Sequence, residues 1–192
     1  KWPDEGPKML WSVEGLGAGY SSPAVTSGRV YLTGMNRGGG FLFAFDRDGK
    51  LVWKVSYGPE WDGSQPGART SPTVVGDRIY LMSAEGQAAC FGTDGKKIWA
   101  VNLMEEFGAR NIEWGVTESL LVDGNRVFCT SGGSSVMVAA LDRHSGKTIW
   151  KIKGNGETSG YCSPCLIQHG ERRLLLTMTA KSFVGIDADT GE

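Results

Sequence analysis

Short apolar runs alternate with polar turns along the whole chain, and the alternation itself repeats. The recurring order is Ser-Pro, an apolar run, a polar turn, Arg-Val-Tyr-Leu, a gap, Ala-Phe-Asp, then Asp-Gly-Lys, an apolar pair and Trp. The first copy has Ser22-Pro23-Ala24-Val25, Arg29-Val30-Tyr31-Leu32, Phe43-Ala44-Phe45-Asp46 and Asp48-Gly49-Lys50-Leu51-Val52-Trp53. The second has Ser71-Pro72, Arg78-Ile79-Tyr80-Leu81, Cys90-Phe91 and Asp94-Gly95-Lys96-Lys97-Ile98-Trp99. The third has Glu118-Ser119-Leu120, Arg126-Val127-Phe128-Cys129, Ala140-Leu141-Asp142 and Ser145-Gly146-Lys147-Thr148-Ile149-Trp150. The fourth has Ser163-Pro164, Arg173-Leu174-Leu175-Leu176, Gly185-Ile186-Asp187 and Asp189-Thr190-Gly191. The arginines at 29, 78, 126 and 173 set a period near 48 residues.

Each copy reads as four short strands separated by Gly, Asp, Asn or Pro turns. The Asp-Gly and Ser-Gly steps before the last run are hairpin signals. Four strands per repeat of about 48 residues is the pattern of a β-propeller blade. The expectation is therefore an all-β chain of about four blade equivalents, a single propeller segment over 1–192. Its blade pieces are 20–57, 69–103, 116–153 and 161–192, the last with three strands. Met9-Leu10-Trp11-Ser12-Val13 resembles Leu51-Val52-Trp53-Lys54-Val55, so 9–13 is read as the last strand of another blade. Met104–Phe107 is expected to form one helical turn. Trp53, Trp99 and Trp150 are expected to fill the wide outer gap between blades. Gly49, Gly95 and Gly146 should supply a positive φ in the outer hairpin.

Composition narrows the function classes. The 20 basic and 21 acidic residues leave a net charge of −1, which predicts no attraction to nucleic acid. No apolar run approaches the roughly 18 residues of a membrane helix, so no membrane span is expected, and no signal peptide is visible. Four Cys and two His are scattered without metal spacing. Cys162-Ser163-Pro164-Cys165 begins a strand rather than a helix, so it is read as structural rather than redox-active. Gly38-Gly39-Gly40 lacks the Lys-Ser/Thr of a phosphate loop. Lys181 is read as a solvated turn residue.

The turn motif carries a family resemblance. Ala44-Phe45-Asp46-Arg47-Asp48-Gly49-Lys50-Leu51-Val52-Trp53 and Ala140-Leu141-Asp142-Arg143-His144-Ser145-Gly146-Lys147-Thr148-Ile149-Trp150 resemble the blade motif of the PQQ-like (pyrroloquinoline-quinone-like) β-propeller family. That motif reads Ala-x-Asp-x-x-Thr-Gly-Lys-x-x-Trp. Gly92 departs from it in the second copy. The family includes quinoprotein alcohol dehydrogenases and the propeller lipoprotein of outer-membrane protein assembly. The resemblance implies a periplasmic or extracellular location and a ring of seven or eight blades. Four repeats are then about half a ring. Either two copies pair head to tail as a homodimer, 9–13 of one completing 163–187 of the other, or the chain is part of a longer one.

The segments before each first strand should open on one face of the channel. Tyr20, Arg69, Glu118 and Tyr161 hold nearly equivalent positions there, with Asn111 and Trp114 close by. Such a ring could bind a polar small molecule. Arg69 would grip a carboxylate, Glu118 would take a proton or a cation, and Trp61 and Trp114 would stack on a ring. Alternatively Arg69 and Glu118 pair with each other, and the tyrosines plug the structure. The leading expectation is a non-catalytic binding or scaffold module for a small polar ligand or a protein partner, with no cofactor. The resemblance implies an alternative, a PQQ- and calcium-dependent alcohol or sugar dehydrogenase. Such enzymes lay the quinone over a Trp, hold Ca²⁺ with Glu and Asn, use an Asp as base and carry a disulfide between adjacent Cys. Trp114, Glu118 and Asn111 supply residue types, Asp62 is the only Asp in a pre-strand segment, and no adjacent Cys pair occurs. A third reading is carbohydrate binding through Trp61 and Trp114.

Overall fold

The computed structural model describes residues 2–192. Four antiparallel sheets follow one another along the chain. The first holds β1 (Ala24–Val25), β2 (Val30–Asn36), β3 (Gly39–Phe45) and β4 (Leu51–Pro59). The second holds β5 (Thr73–Val75), β6 (Arg78–Met82), β7 (Gln87–Gly92) and β8 (Lys97–Asn102). The third holds β9 (Leu121–Asp123), β10 (Arg126–Cys129), β11 (Val138–Asp142) and β12 (Thr148–Ile152). The fourth holds β13 (Cys165–His169), β14 (Arg172–Met178) and β15 (Phe183–Asp187). Strand order within each sheet is chain order, hairpin to hairpin. These are the blades of a β-propeller, four blade equivalents in all.

One helical turn interrupts the strands. Asn102 caps α1 (Leu103–Phe107) by accepting from the Met104 and Glu105 amides, and Gly108 ends it in the left-handed region. Leu103 and Phe107 face the core, which holds the turn against β7 and β8.

The core lies between blades because a strand's alternate residues face opposite ways. Ile79 and Leu81 of β6 pack with Tyr31, Leu42 and Ala44 of the first blade. Tyr80 and Met82 of the same strand pack with Val127, Cys129 and Leu141 of the third. Phe128 of β10 turns the other way, toward Leu175 and Ile186 of the fourth. Cys90 and Cys129 are thus small apolar core residues, and burial raises both thiols above their ordinary range.

The tryptophans fill the outer gaps in a specific way. Trp53 lies on Gly95, Trp99 on Gly146 and Trp150 on Gly191, each on the turn of the next blade. The indole N–H groups of Trp53 and Trp99 donate to Thr93 O (3.1 Å) and Arg143 O (2.9 Å). Gly95 and Gly146 have the expected positive φ, Gly191 shares it, and all three have a second reason to lack a side chain. A Cβ on Gly146 would stand 2.9 Å from the Trp99 ring.

Residues 9–13 differ from the expectation. They form no strand, because no neighbouring strand pairs with them among the described residues. Trp11 still docks as its counterparts do, over Gly49 and with its N–H on Arg47 O at 2.8 Å. Packing onto the next blade therefore does not require pairing within its own.

At the inner end, a serine ladder sets the blades in register. The Ser22 amide donates to Ser71 Oγ (2.8 Å), the Ser71 amide to Ser119 Oγ (3.0 Å), and the Ser119 amide to Ser163 Oγ (2.9 Å).

Candidate functional site

The serine ladder divides the residues before it into two sets. Tyr20, Arg69, Thr117 and Tyr161 stand two places before their serines, and Ser21, Thr70, Glu118 and Cys162 stand one place before. Neighbours in such a segment face opposite ways. The second set turns inward onto each blade's second strand or the residue that follows it. Ser21 donates to Thr33 O (3.2 Å), and Thr70 donates to Met82 O. Glu118 accepts the Thr130 amide on both carboxylate oxygens, at 3.0 and 3.1 Å. Cys162 lies beside Thr177 Oγ1 at 3.8 Å.

Glu118 is therefore corrected from the channel mouth to the interior. It is 2% exposed. Burial raises its carboxyl to about 7, although the Thr130 bonds pull it down. It forms no pair with Arg69. Glu118 stands one residue nearer its serine than Tyr20, Arg69 and Tyr161, and in an extended segment one residue of register changes the face.

Three members of the outward set, Tyr20, Arg69 and Tyr161, enter two pairs, the second completed by Trp114 from the preceding loop. The Arg69 guanidinium lies 5.5 Å over the Tyr20 ring and donates to Gln65 O (2.6 Å) and Ser64 O (3.3 Å). The Tyr20 hydroxyl donates to Gln65 Oε1 at 3.4 Å. Tyr20 is pinned in place because its amide donates to Ala68 O at 2.8 Å. In the other pair, the Trp114 and Tyr161 rings lie 5.5 Å apart, and the Trp114 amide donates to Tyr161 Oη at 3.2 Å. Tyr20, Trp114 and Tyr161 are each about half exposed.

Asn111 stands apart from these pairs. Its amide donates to Ala84 O and Glu85 Oε2, both at 3.0 Å, and its Oδ1 accepts the Ile112 amide. Trp61 is only partly exposed and folds onto its own loop, its indole N–H donating to Ser64 O at 2.9 Å. Lys181 sits in the turn between β14 and β15, with its backbone against the Glu157 carboxylate.

Two further acids were legible but missed. A glutamate follows each of Trp53, Trp99 and Trp150 at the same interval: Glu60, Glu106 and Glu157. Glu60 accepts from the Tyr57 hydroxyl and from the Ala84 amide (2.9 Å). Glu157 accepts from the hydroxyls of Thr179 and Ser182, the latter at 3.0 Å. Ala84 and Thr179 hold equivalent places in the second and fourth repeats, each six residues after its Arg, so both acids latch one blade to the loop of the next. Glu106 lies on α1 and is exposed instead. Burial raises Glu60 to about 7 against the pull of its hydrogen bonds and of Arg69.

The residue types for a quinone and calcium do not fit together here. Both oxygens of Glu118 face a backbone amide, Asn111 is bound to Ala84 and Glu85, and Trp114 lies against Tyr161. Among the described residues no three His, Cys, Asp or Glu side chains are grouped to hold a metal ion.

Comparison with known proteins agrees with the blade architecture. Residues 2–151 and 38–192 match the family described as outer membrane protein assembly factor BamB, and the chain belongs to this family of PQQ-like propellers. The quinoprotein ethanol dehydrogenase of Pseudomonas aeruginosa is 26% identical over 156 residues, covering 73% of this chain. The chain spans only 24% of that relative's length. Among solved structures, quinohemoprotein alcohol dehydrogenase ADHIIG from Pseudomonas putida HK5 superposes with a TM-score of 0.63 at 19% identity, over 88% of this chain and 33% of that one. BamB from Moraxella catarrhalis gives 0.54 at 20% identity, over 93% and 52%. At these identities the structural likeness shows the fold.

Proposed function

We propose that the chain is a non-catalytic binding module that uses its pre-strand face to hold a partner. One observation carries this reading. The face presents the pairs Tyr20–Arg69 and Trp114–Tyr161, their aromatic rings half exposed and braced by backbone bonds, while its one acid in the expected ring is buried and engaged. Trp, Tyr and Arg are the residue types that dominate binding hot spots. Held side chains also lose little freedom on binding. The family description supports a protein as the partner and a periplasmic or extracellular setting. The edge of β15 suits a strand of the outer-strand type, from a second copy or from the remainder of a longer chain. Light scattering separates these: a dimer supports the second copy, and a monomer overturns it.

The test is a random-peptide display selection on the whole chain. Peptides enriched on the wild type should bind Trp114→Ala about 30-fold or more weaker, equivalent to about 2 kcal/mol. The 26% identity to a quinoprotein dehydrogenase favours the second reading. PQQ absorbance retained through gel filtration with Ca²⁺, together with alcohol-dependent dye reduction, would establish that reading and overturn ours.

A further inference from the structure

A cleft of about 600 Å³ opens on the same side, between the Asn111–Glu113 loop and the fourth blade. Its lining comes from three segments far apart in the chain, 111–113, 158–162 and 178–180. Two of them are tied together. Ser159 bridges Thr179, and the Gly160 amide donates to Met178 O at 3.1 Å. The volume lies within the usual range for small-molecule sites.

Three polar groups in the lining are left with bonding capacity. Ser159 is 4% exposed, and its hydroxyl has no hydrogen-bond partner. A buried hydroxyl without a partner is destabilising and calls for an explanation. Tyr161 Oη accepts the Trp114 amide, so its own O–H remains to donate. Glu113 is exposed and stands in the lining with an acceptor-only carboxylate. The walls between these groups include Ile112 and Met178, and the Tyr161 ring in the lining is backed by Trp114.

This set of groups selects a ligand class. Tyr161 asks for an acceptor, Glu113 asks for donors, and Ser159 takes either. An ammonium or guanidinium group brings donors alone and leaves Tyr161 unmet. A carboxylate or phosphate brings acceptors alone and meets Glu113 with like charge. A neutral hydroxyl-rich molecule brings both, and its C–H faces suit the apolar walls and the Tyr161 ring.

We propose that the cleft between the Asn111–Glu113 loop and the fourth blade, with Glu113, Ser159 and Tyr161, is a binding subsite for one sugar unit. This rests on the reading of the face as a non-catalytic binding surface. The unit can be a free monosaccharide or part of a glycan, and both present the same hydroxyl chemistry.

The experiment is an amide NMR titration of the whole chain with D-glucose, N-acetyl-D-glucosamine, their methyl glycosides and maltose, with N-acetyl-lysine amide and acetate as charged controls. The expected result is saturation by at least one sugar in the millimolar range, with shifts at Gly160, Tyr161, Cys162 and the Trp114 indole. Glu113→Gln and Tyr161→Phe should each weaken that binding at least about fivefold while the rest of the spectrum stays that of the folded chain. Tighter binding of maltose or the glycosides identifies a glycan, and tighter binding of the free monosaccharides identifies a soluble sugar. Absence of saturation by every sugar overturns the proposal. So does sugar binding indifferent to both variants, or saturation by a charged control instead. If sugars fail while display-selected peptides still need Trp114, the sugar subsite alone falls. Oxidation of a bound sugar in the presence of PQQ and Ca²⁺ would instead overturn the non-catalytic reading.

Discussion

Trp53 lies against Gly95 of the following blade: a Cβ on that glycine would stand 3.0 Å from the indole ring, while the indole N–H donates to Thr93 O at 3.1 Å. The outer turn and the outer strand of successive blades are thus one packing unit. Gly95→Ala should be destabilising on two counts, a strained φ of 87° and a methyl group driven into the indole. We expect a loss of about 2 kcal/mol or more in urea unfolding. A loss within about 0.5 kcal/mol would show that the turn relaxes freely.

Trp99 should matter more. It is 8% exposed, it packs in the core between the second and third blades, and its N–H is bonded to Arg143 O. Trp99→Ala is expected to cost about 3–5 kcal/mol by the same measurement. Trp99→Phe should recover part of this by keeping an aromatic ring in the gap.

Glu118 gives a pH signature. Burial holds its carboxyl at about 7 against an ordinary 4.5, so the folded chain keeps a proton that the unfolded chain releases. Its contribution is full below about pH 4.5 and is lost as the pH rises through about 7. Glu118→Gln cannot titrate and retains one oxygen for the Thr130 amide. The stability of the wild type relative to this variant should fall by roughly 3 kcal/mol between about pH 4.5 and pH 8.5. Urea midpoints across that range test this, and a pH-independent difference would refute it. Glu60 carries the same sign, so Glu60→Gln should behave alike.

The four thiols should divide by burial. Cys90 and Cys129 are enclosed, Cys162 is partly covered and Cys165 is exposed. A thiol reagent such as DTNB should modify Cys165 fast, Cys162 more slowly, and the other two only after denaturation. Fast labelling of all four in the folded chain would contradict the inter-blade core described above.

The sequence carried the fold because blades repeat in chain order. Arg29, Arg78, Arg126 and Arg173 marked the period, and the Gly-then-Trp turn marked each outer hairpin. The site was less legible because its meaning depends on single-residue register. Glu118 aligns loosely with Tyr20, Arg69 and Tyr161, yet it falls one place nearer its serine and so faces the interior. The glutamates after each Trp were visible as a regularity, but their partners Ala84 and Thr179 lie in the neighbouring blade. Pattern along the chain does not state which blade loop a side chain will reach. The Trp114–Tyr161 pair was hidden for the same reason, since its members come from different pre-strand segments.

The division of β6 between two interfaces has a consequence for how such a chain can change over time. Ile79 and Leu81 serve one neighbour, while Tyr80 and Met82 serve the other. A one-residue insertion upstream in that strand would hand each set to the wrong neighbour. Blade 2 has no private core to fall back on. Tolerated length changes should therefore collect in turns and pre-strand loops, while the strands themselves can be gained or lost only in whole repeats. The pre-strand face proposed to hold a partner is built from those same loops, so the part free to vary in length is also the part to which that proposal assigns binding.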